Sequence, residues 1–293
     1  MPVKIETRKK IQEWLISFPS VFWLCLFFVI PTLFVFAIAF RSSNPYGGIS
    51  AGWTLDNLRH LADPNYLVVA WRTVWISVLT TVICIFLAVP AGYYLARISS
   101  KWRNLFLMLI IIPFWTNFLI RIFAWKSLLH PEGLIKRLLV FLGLVSPQAS
   151  LLYNPGAVVL VSVYTFLPFT ILPIYAAAEK FDFELLEAAR DLGARPFQAF
   201  RKIFIPGIRT GLVTAILFVL IPALGSYVIP DIVGGPTSEL IGNKIAQRVF
   251  VDRDLPQASV LSVVLVLSVL APLIVVLFLQ RKRGKAEVML LED

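Results

Sequence analysis

Six stretches of this chain are almost purely apolar: residues 18–40, 73–96, 105–128, 157–178, 210–230 and 256–279. The hydrocarbon core of a bilayer is about 30 Å thick, and an α-helix needs about 20 apolar residues to cross it. Each run is long enough, so the pattern predicts an all-α integral membrane protein with six transmembrane helices. Five of the six hold no charged residue. The third carries Arg121 and Lys126 in its second half, which places its outer end near the headgroups, where long basic side chains reach water. Prolines at 31, 90, 113, 168, 173, 222 and 272 fall inside the runs. Each removes a backbone hydrogen bond that neighbouring helices must replace, which predicts kinked helices packed on one another. A kink serves packing or a gate, and the sequence leaves both open.

Composition agrees. The 293 residues are 58% hydrophobic and 15% charged, with a mean hydropathy of +0.82, so a single membrane domain is expected rather than a soluble one. The net charge of +10 does not indicate a nucleic-acid partner, because the basic residues cluster between the apolar runs instead of mixing with aromatics on a soluble face. In a six-helix chain seventeen of the 27 Lys and Arg residues fall on one side, in residues 4–10, 97–103, 180–209 and 281–285. The positive-inside rule then makes both termini cytoplasmic. The first run follows Lys4, Arg8, Lys9 and Lys10 as a signal peptide would. It is too long and lacks a small-x-small cleavage site, so it is expected to stay as an anchor. Cys25 and Cys84 lie inside apolar runs and His60 and His130 are far apart, which supports neither a disulfide nor a metal site. The chain offers no Ser/His/Asp set, no HExxH, no paired membrane carboxylates and no phosphate-cradling glycine loop. It is therefore expected to be no enzyme, to need no cofactor, and to draw any ATP energy from another subunit.

The connection between the fourth and fifth runs, residues 179–209, is not ordinary loop sequence. Phe183, Leu186, Ala189 and Arg190 recur at helical spacing, Asp182 stands where it can cap the start, Gly193 offers a turn, and Pro196 suits the first turn of a second short helix. Such a pair exposes Phe183, Leu185, Leu186, Leu192, Phe197 and Phe200, more apolar surface than a free loop tolerates. Either a partner covers it or it lies flat on the membrane interface.

Glu187-Ala188-Ala189, three residues, Gly193, nine residues, then Ile203-Phe204-Ile205-Pro206 resembles the EAA motif of binding-protein-dependent ABC importer permeases, with Ile205 in place of leucine. The resemblance implies a fold of the MetI type, with a five-helix core over residues 67–280. Residues 1–66 then hold the N-terminus, the first helix and an outer loop, and 281–293 form a cytoplasmic tail. In that family the motif forms coupling helices seated on a dimeric ATPase subunit. The same role is implied here for Glu187, Ala188, Ala189, Arg190, Gly193 and Pro206. A second, similar permease subunit, a periplasmic or lipid-anchored binding protein and membrane lipid are the other implied partners, at the bacterial inner membrane.

Residues 222–250, the following Asp252-Arg253-Asp254-Leu255-Pro256, and Pro113–Asn117 with Arg121 and Trp125 look like the spermidine/putrescine permeases within that family. From the residues themselves, Asp231 stands out as a carboxylate between Pro230 and Gly234-Gly235, where the fifth helix is expected to break. It suits an ammonium group. Tyr227, Trp115, Tyr164 and Tyr175 are rings that bind cations, and Asn117 is a polar group beside Trp115. Asp231 equally suits a solvated helix end or a partnership with Arg121, and the aromatics an interfacial or packing role. Glu239, Asp252 and Asp254 suit an outer surface. A permease for another small cation or organic solute, or a proton-coupled secondary transporter, remains the alternative.

Overall fold

The computed structural model describes residues 14–44, 46–270 and 274. The basic N-terminal segment, Pro272, the end of the sixth run and the tail 281–293 lie outside the described residues. The chain divides into two compact units, residues 1–63 with 244–268, and 64–243 with 269–293.

In the first unit, α1 (Trp14–Ala39) is a 26-residue apolar helix with a π turn at Cys25–Val29. Its most apolar window buries nothing within the protein. A helix apolar on all sides and uncovered by protein needs lipid as its solvent. A two-stranded antiparallel hairpin follows, β1 (Arg41–Ser43) and β2 (Ile49–Trp53), with Arg41 opposite Trp53 and its guanidinium 4.7 Å from the indole ring.

The second unit begins with α2 (Pro64–Arg97), the longest helix, of 34 residues. Next come α3 (Ser100–Ile111), α4 (Phe118–Leu129), α5 (Leu134–Phe141), α6 (Pro155–Glu179), α7 (Glu184–Asp191), α8 (Pro196–Gly207), α9 (Arg209–Leu224) and α10 (Val228–Val233). After these come α11 (Ile241–Phe250) and α12, described over Leu255–Leu270. The helices α2, α6 and α9 pack against one another in the centre of the second unit. The buried stripe of α2 reads Thr73, Ser77, Thr80, Thr81, Cys84, Ala88 and Gly92, small residues at spacings of three and four that let backbones approach. Thr73, Thr81, Thr165 and Thr170 donate to carbonyls four residues back, so these hydroxyls are satisfied without leaving their own helices.

Where α9 crosses α6, a Cβ on Gly211 would fall 2.6 Å from the Pro173 carbonyl oxygen and 2.5 Å from Ala177 Cβ. Backbone cannot yield as a flexible side chain does. Gly211→Val is expected to lower stability by about 1–3 kcal/mol, the usual cost of overpacking, read as a lower unfolding midpoint in detergent. An unchanged midpoint would show that the crossing is loose.

Among the described residues three helices, α1, α2 and α6, are by themselves long and apolar enough to cross a membrane. Two further apolar pairs are bent, which corrects two expectations. The third run is not one helix from 105 to 128: it turns by 95° between Ser100–Trp115 and Phe118–Phe141. Around Pro113 the chain tightens into a 3₁₀ turn, Ile112–Trp115, Thr116 and Asn117 become extended, and the Asn117 side chain restarts the helix by accepting from the Leu119 N–H at 2.8 Å. The fifth run does not continue to 230. It ends at Leu224 with Gly225 as cap, and Asp231 belongs to the separate six-residue α10.

Candidate functional site

The loop between α6 and α9 folds as two short helices at one end of the central three-helix pack. Asp182 Oδ1 accepts from the Glu184 N–H at 3.0 Å, satisfying one of the free donors at the start of α7. At the other end Ala194 N–H reaches the Ala189 carbonyl at 3.0 Å and Gly193 N–H the Arg190 carbonyl at 2.9 Å, the paired bonds of a Schellman motif. That motif needs a left-handed residue, and Gly193 supplies it with φ +87°. Arg195 N–H donates to Gln198 Oε1, and Pro196 opens α8. Pro206 has no N–H to offer the Lys202 carbonyl four residues before it, and a π turn over Phe200–Phe204 lies just upstream. The chain then bends by 71° into α9.

The expectation that all six large apolar residues of this loop are exposed is corrected. Leu186 is buried, and Phe183 and Phe200 pack with Phe181 and the fully buried Phe204 around Tyr93 of α2. Edge-to-face stacking explains the inward turn, since each ring pair gains beyond its area burial. What remains outside is Leu185, Leu192 (90% exposed) and Phe197 (72% exposed), beside the exposed Glu187, Ala188 and Arg190. Ala189 is half-buried and Pro206 exposed. A cavity of about 60 Å³ lies under the outer face, lined among others by Tyr93, Arg97, Glu187 and Arg190. Sequence reasoning counted Arg97 only among the basic residues that set orientation and passed over Tyr93. Their one available signal was an aromatic and a basic residue four apart at the end of an apolar run.

The residues considered for a cargo path are spread more widely. Tyr164 on α6 meets Trp125 on α4 edge-on, with centroids 5.3 Å apart. Tyr227 caps α10, its carbonyl accepting from the Asp231 N–H at 3.0 Å and the Asn243 side chain at 3.0 Å. Asp231 is exposed in the first turn of α10, where the helix dipole favours a carboxylate. Asn117 caps α4, as described, and Trp115 is 86% exposed at the bend. Among the described residues no hydrogen bond, ion pair or ring contact joins the side chains of Asp231, Tyr227, Trp115 and Tyr164 to one another. Nor do Asp231 and Arg121 pair. Arg121 lies over the rings of Phe114 and Phe118, at 4.7 and 6.0 Å, and its buried Nε and Nη1 have no hydrogen-bond partner. Tyr175 hydrogen-bonds Glu179 at 2.6 Å, and Glu179 meets Arg103 at 3.3 Å, joining α6 to α3. Among the described residues no cluster of His, Cys, Asp or Glu suits a metal.

Comparison with known proteins gives these features a setting. The family described as "Binding-protein-dependent transport system inner membrane component" matches residues 88–284. The spermidine/putrescine transport system permease protein PotB of Haemophilus influenzae is 37% identical over 241 residues, covering 82% of this chain and 84% of the relative. PotB of Escherichia coli is 37% identical over 243 residues, covering 83% and 88%. The inner membrane ABC transporter permease protein YdcU of the same species is 32% identical, covering 72% and 71%. Among solved structures, a bacterial ABC transporter involved in the import of the acidic polysaccharide alginate matches with a TM-score of 0.70 at 15% identity, over 97% of this chain and 99% of that one. The same transporter type in complex with an alginate-pentasaccharide-bound periplasmic protein matches at 0.66 and 16%, over 92% and 94%. At such identities these two structures speak for the fold alone. With the family matching two thirds of its length and its helices following an ABC permease fold, this chain belongs to the binding-protein-dependent transport system inner membrane components, the permease subunits of ABC transporters.

Proposed function

We propose that this chain is one half of the membrane pathway of an ABC importer for a polyamine, spermidine or putrescine, driven by a separate dimeric ATPase. The observation that carries the coupling half of this reading is the exposed face of α7 and α8, where Leu185, Leu192 and Phe197 stand beside Glu187 and Arg190. An apolar surface rimmed by charge is what a protein partner covers. Glu187, Ala188, Ala189, Arg190, Gly193 and Pro206 form or shape that knob. Support for a polyamine comes from the relatives named for spermidine and putrescine and from Asp231, a carboxylate on a short helix broken from α9 by Gly225.

In this reading six helices cross the inner membrane, with α3 and α4 as a broken third span and α12 as the described part of the sixth. Both termini and the α7–α8 loop are cytoplasmic. Residues 67–280 form the permease core, 1–66 a peripheral addition and 281–293 a cytoplasmic tail. A second, similar permease completes the pathway, and a polyamine-binding protein delivers cargo from the other side. Asp231, Tyr227, Trp115, Tyr164 and Asn117 are the pathway residues proposed, with Asp231 the one whose charge meets an ammonium. The experiment is uptake of labelled spermidine by cells producing the transporter. Uptake stopped by vanadate and untouched by a protonophore supports the reading; the reverse pattern, or a purified chain that brings down no P-loop ATPase, overturns it.

A further inference from the structure

Resting on that coupling role, we infer that Tyr93 and Arg97, at the end of α2, are positioning residues that carry displacement of the α7–α8 loop into the second helix. The loop is covalently continuous with α6 and α9. It has no such link to α2, so its movements reach the end of α2 through packing: directly through the loop's rings, or by way of α6 and α9.

Tyr93 serves as a post for both arms of the loop. Phe183, just before α7, meets its ring with centroids 5.8 Å apart, and Phe200 and Phe204 of α8 meet it at 5.4 and 5.0 Å, all edge-on. Phe181 closes the group, 5.3 Å from both Phe183 and Phe204. One turn beyond Tyr93, Arg97 donates from Nη1 to the Tyr93 hydroxyl at 2.6 Å. Its guanidinium lies 5.4 Å from the Tyr93 ring and 5.6 Å from that of Phe183. On the residue before the post, a Cβ at Gly92 would fall 2.7 Å from Ile174 Cγ2 and 3.2 Å from the Tyr175 amide nitrogen. The end of α2 is thus wedged between the loop's rings and the backbone of α6. Beside the small cavity that Tyr93 and Arg97 help to line, the rings are in direct contact, and groups packed in contact pass strain on to one another. A push on the outer face of α7 therefore has a short path, through Phe183, Tyr93 and Arg97, into a helix it does not adjoin in sequence.

The test uses the whole transporter in proteoliposomes, with Ser99→Cys as reporter just past α2. Ser99 makes no side-chain cap. Cys84 is buried, and Cys25, exposed on the apolar α1, is replaced by Ser so that a membrane-impermeant maleimide reads only the reporter. The alkylation rate at Ser99→Cys is compared with and without ATP and vanadate, a readout independent of cargo. In the parent chain nucleotide is expected to change the rate. In Tyr93→Ala that change is expected to shrink about tenfold, within the usual span of allosteric coupling, while the ATPase subunit stays bound and hydrolyses ATP. Tyr93→Phe, which keeps the three edge-on contacts, is expected to restore it. A full nucleotide response in Tyr93→Ala overturns the inference, and so does a Tyr93→Phe variant as defective as Tyr93→Ala. Should Tyr93→Ala fail to assemble, Arg97→Ala, on an exposed side chain, decides: loss of the response supports the inference and a full response overturns it. A parent chain that retains no ATPase at all overturns the coupling role itself, whereas one that retains it without any nucleotide response at Ser99→Cys overturns this inference alone.

Discussion

Gly193→Asp and Glu187→Lys will each abolish ATP-driven uptake while the protein still inserts in the membrane. Nothing lies within 4 Å of where a Cβ would stand on Gly193, so aspartate meets no clash there. The left-handed backbone costs it about 1–2 kcal/mol, which trims the Schellman turn without unfolding a large membrane domain. The larger effect is at the surface. An aspartate at 193 puts a carboxylate between Leu192 and Phe197, the two most exposed large apolar residues of the loop, and docking then buries an unpaired charge, which is costly. Glu187→Lys acts by sign: Glu187 shares its cavity with Arg97 and Arg190, and lysine makes three cations where one was balanced. Membrane-fraction immunoblots, co-purification of the ATPase and vanadate-sensitive uptake are the measurements. Uptake at the parent level by both variants would remove the loop from the coupling path.

The second large effect concerns Asp231. A hydrogen bond to a charged group contributes about 1.5–3 kcal/mol, so Asp231→Asn is expected to cut uptake of spermidine by about tenfold or more, with Asp231→Glu retaining most of it. The loss belongs in the maximal rate. In a system fed by a binding protein, half-saturation follows that protein's affinity, and a change in the membrane pathway leaves it in place. Parent-level uptake by Asp231→Asn would take the residue off the path and leave it as the exposed helix-end carboxylate it resembles, favoured by the dipole of α10.

Much of the α7–α8 loop was legible because its signals are local. Asp182, Gly193 and Pro196 each act on backbone groups within a few residues, and the structure uses all three where expected. The bend in the third apolar run was only partly legible. Pro113 and the charges at 121 and 126 marked trouble, but a bend of 95° depends on Thr116 and Asn117 going extended together and on Asn117 capping the next helix. A hydropathy window averages across such a break without registering it. The residues considered for a cargo path were the least legible, because proximity in space leaves no periodic trace along the chain. Asn117 proved to be a cap, and Arg121 rests on two rings rather than on Asp231.

Sequence alone determined that this protein belongs in a bilayer, where its uninterrupted apolar runs lie, and which loop departs from ordinary loop composition. Those properties follow from composition over windows of about 20 residues and from spacing within one loop. Tertiary structure alone decided which face of that loop turns inward and what it grips. Phe183, Phe200 and Phe204 are as apolar as Phe197, yet they are covered and Phe197 is not, because Tyr93 of a helix distant in sequence stands beside three of them and not the fourth. Burial is a property of neighbours, and the neighbours here are brought together only by the packing of α2 against α6 and α9.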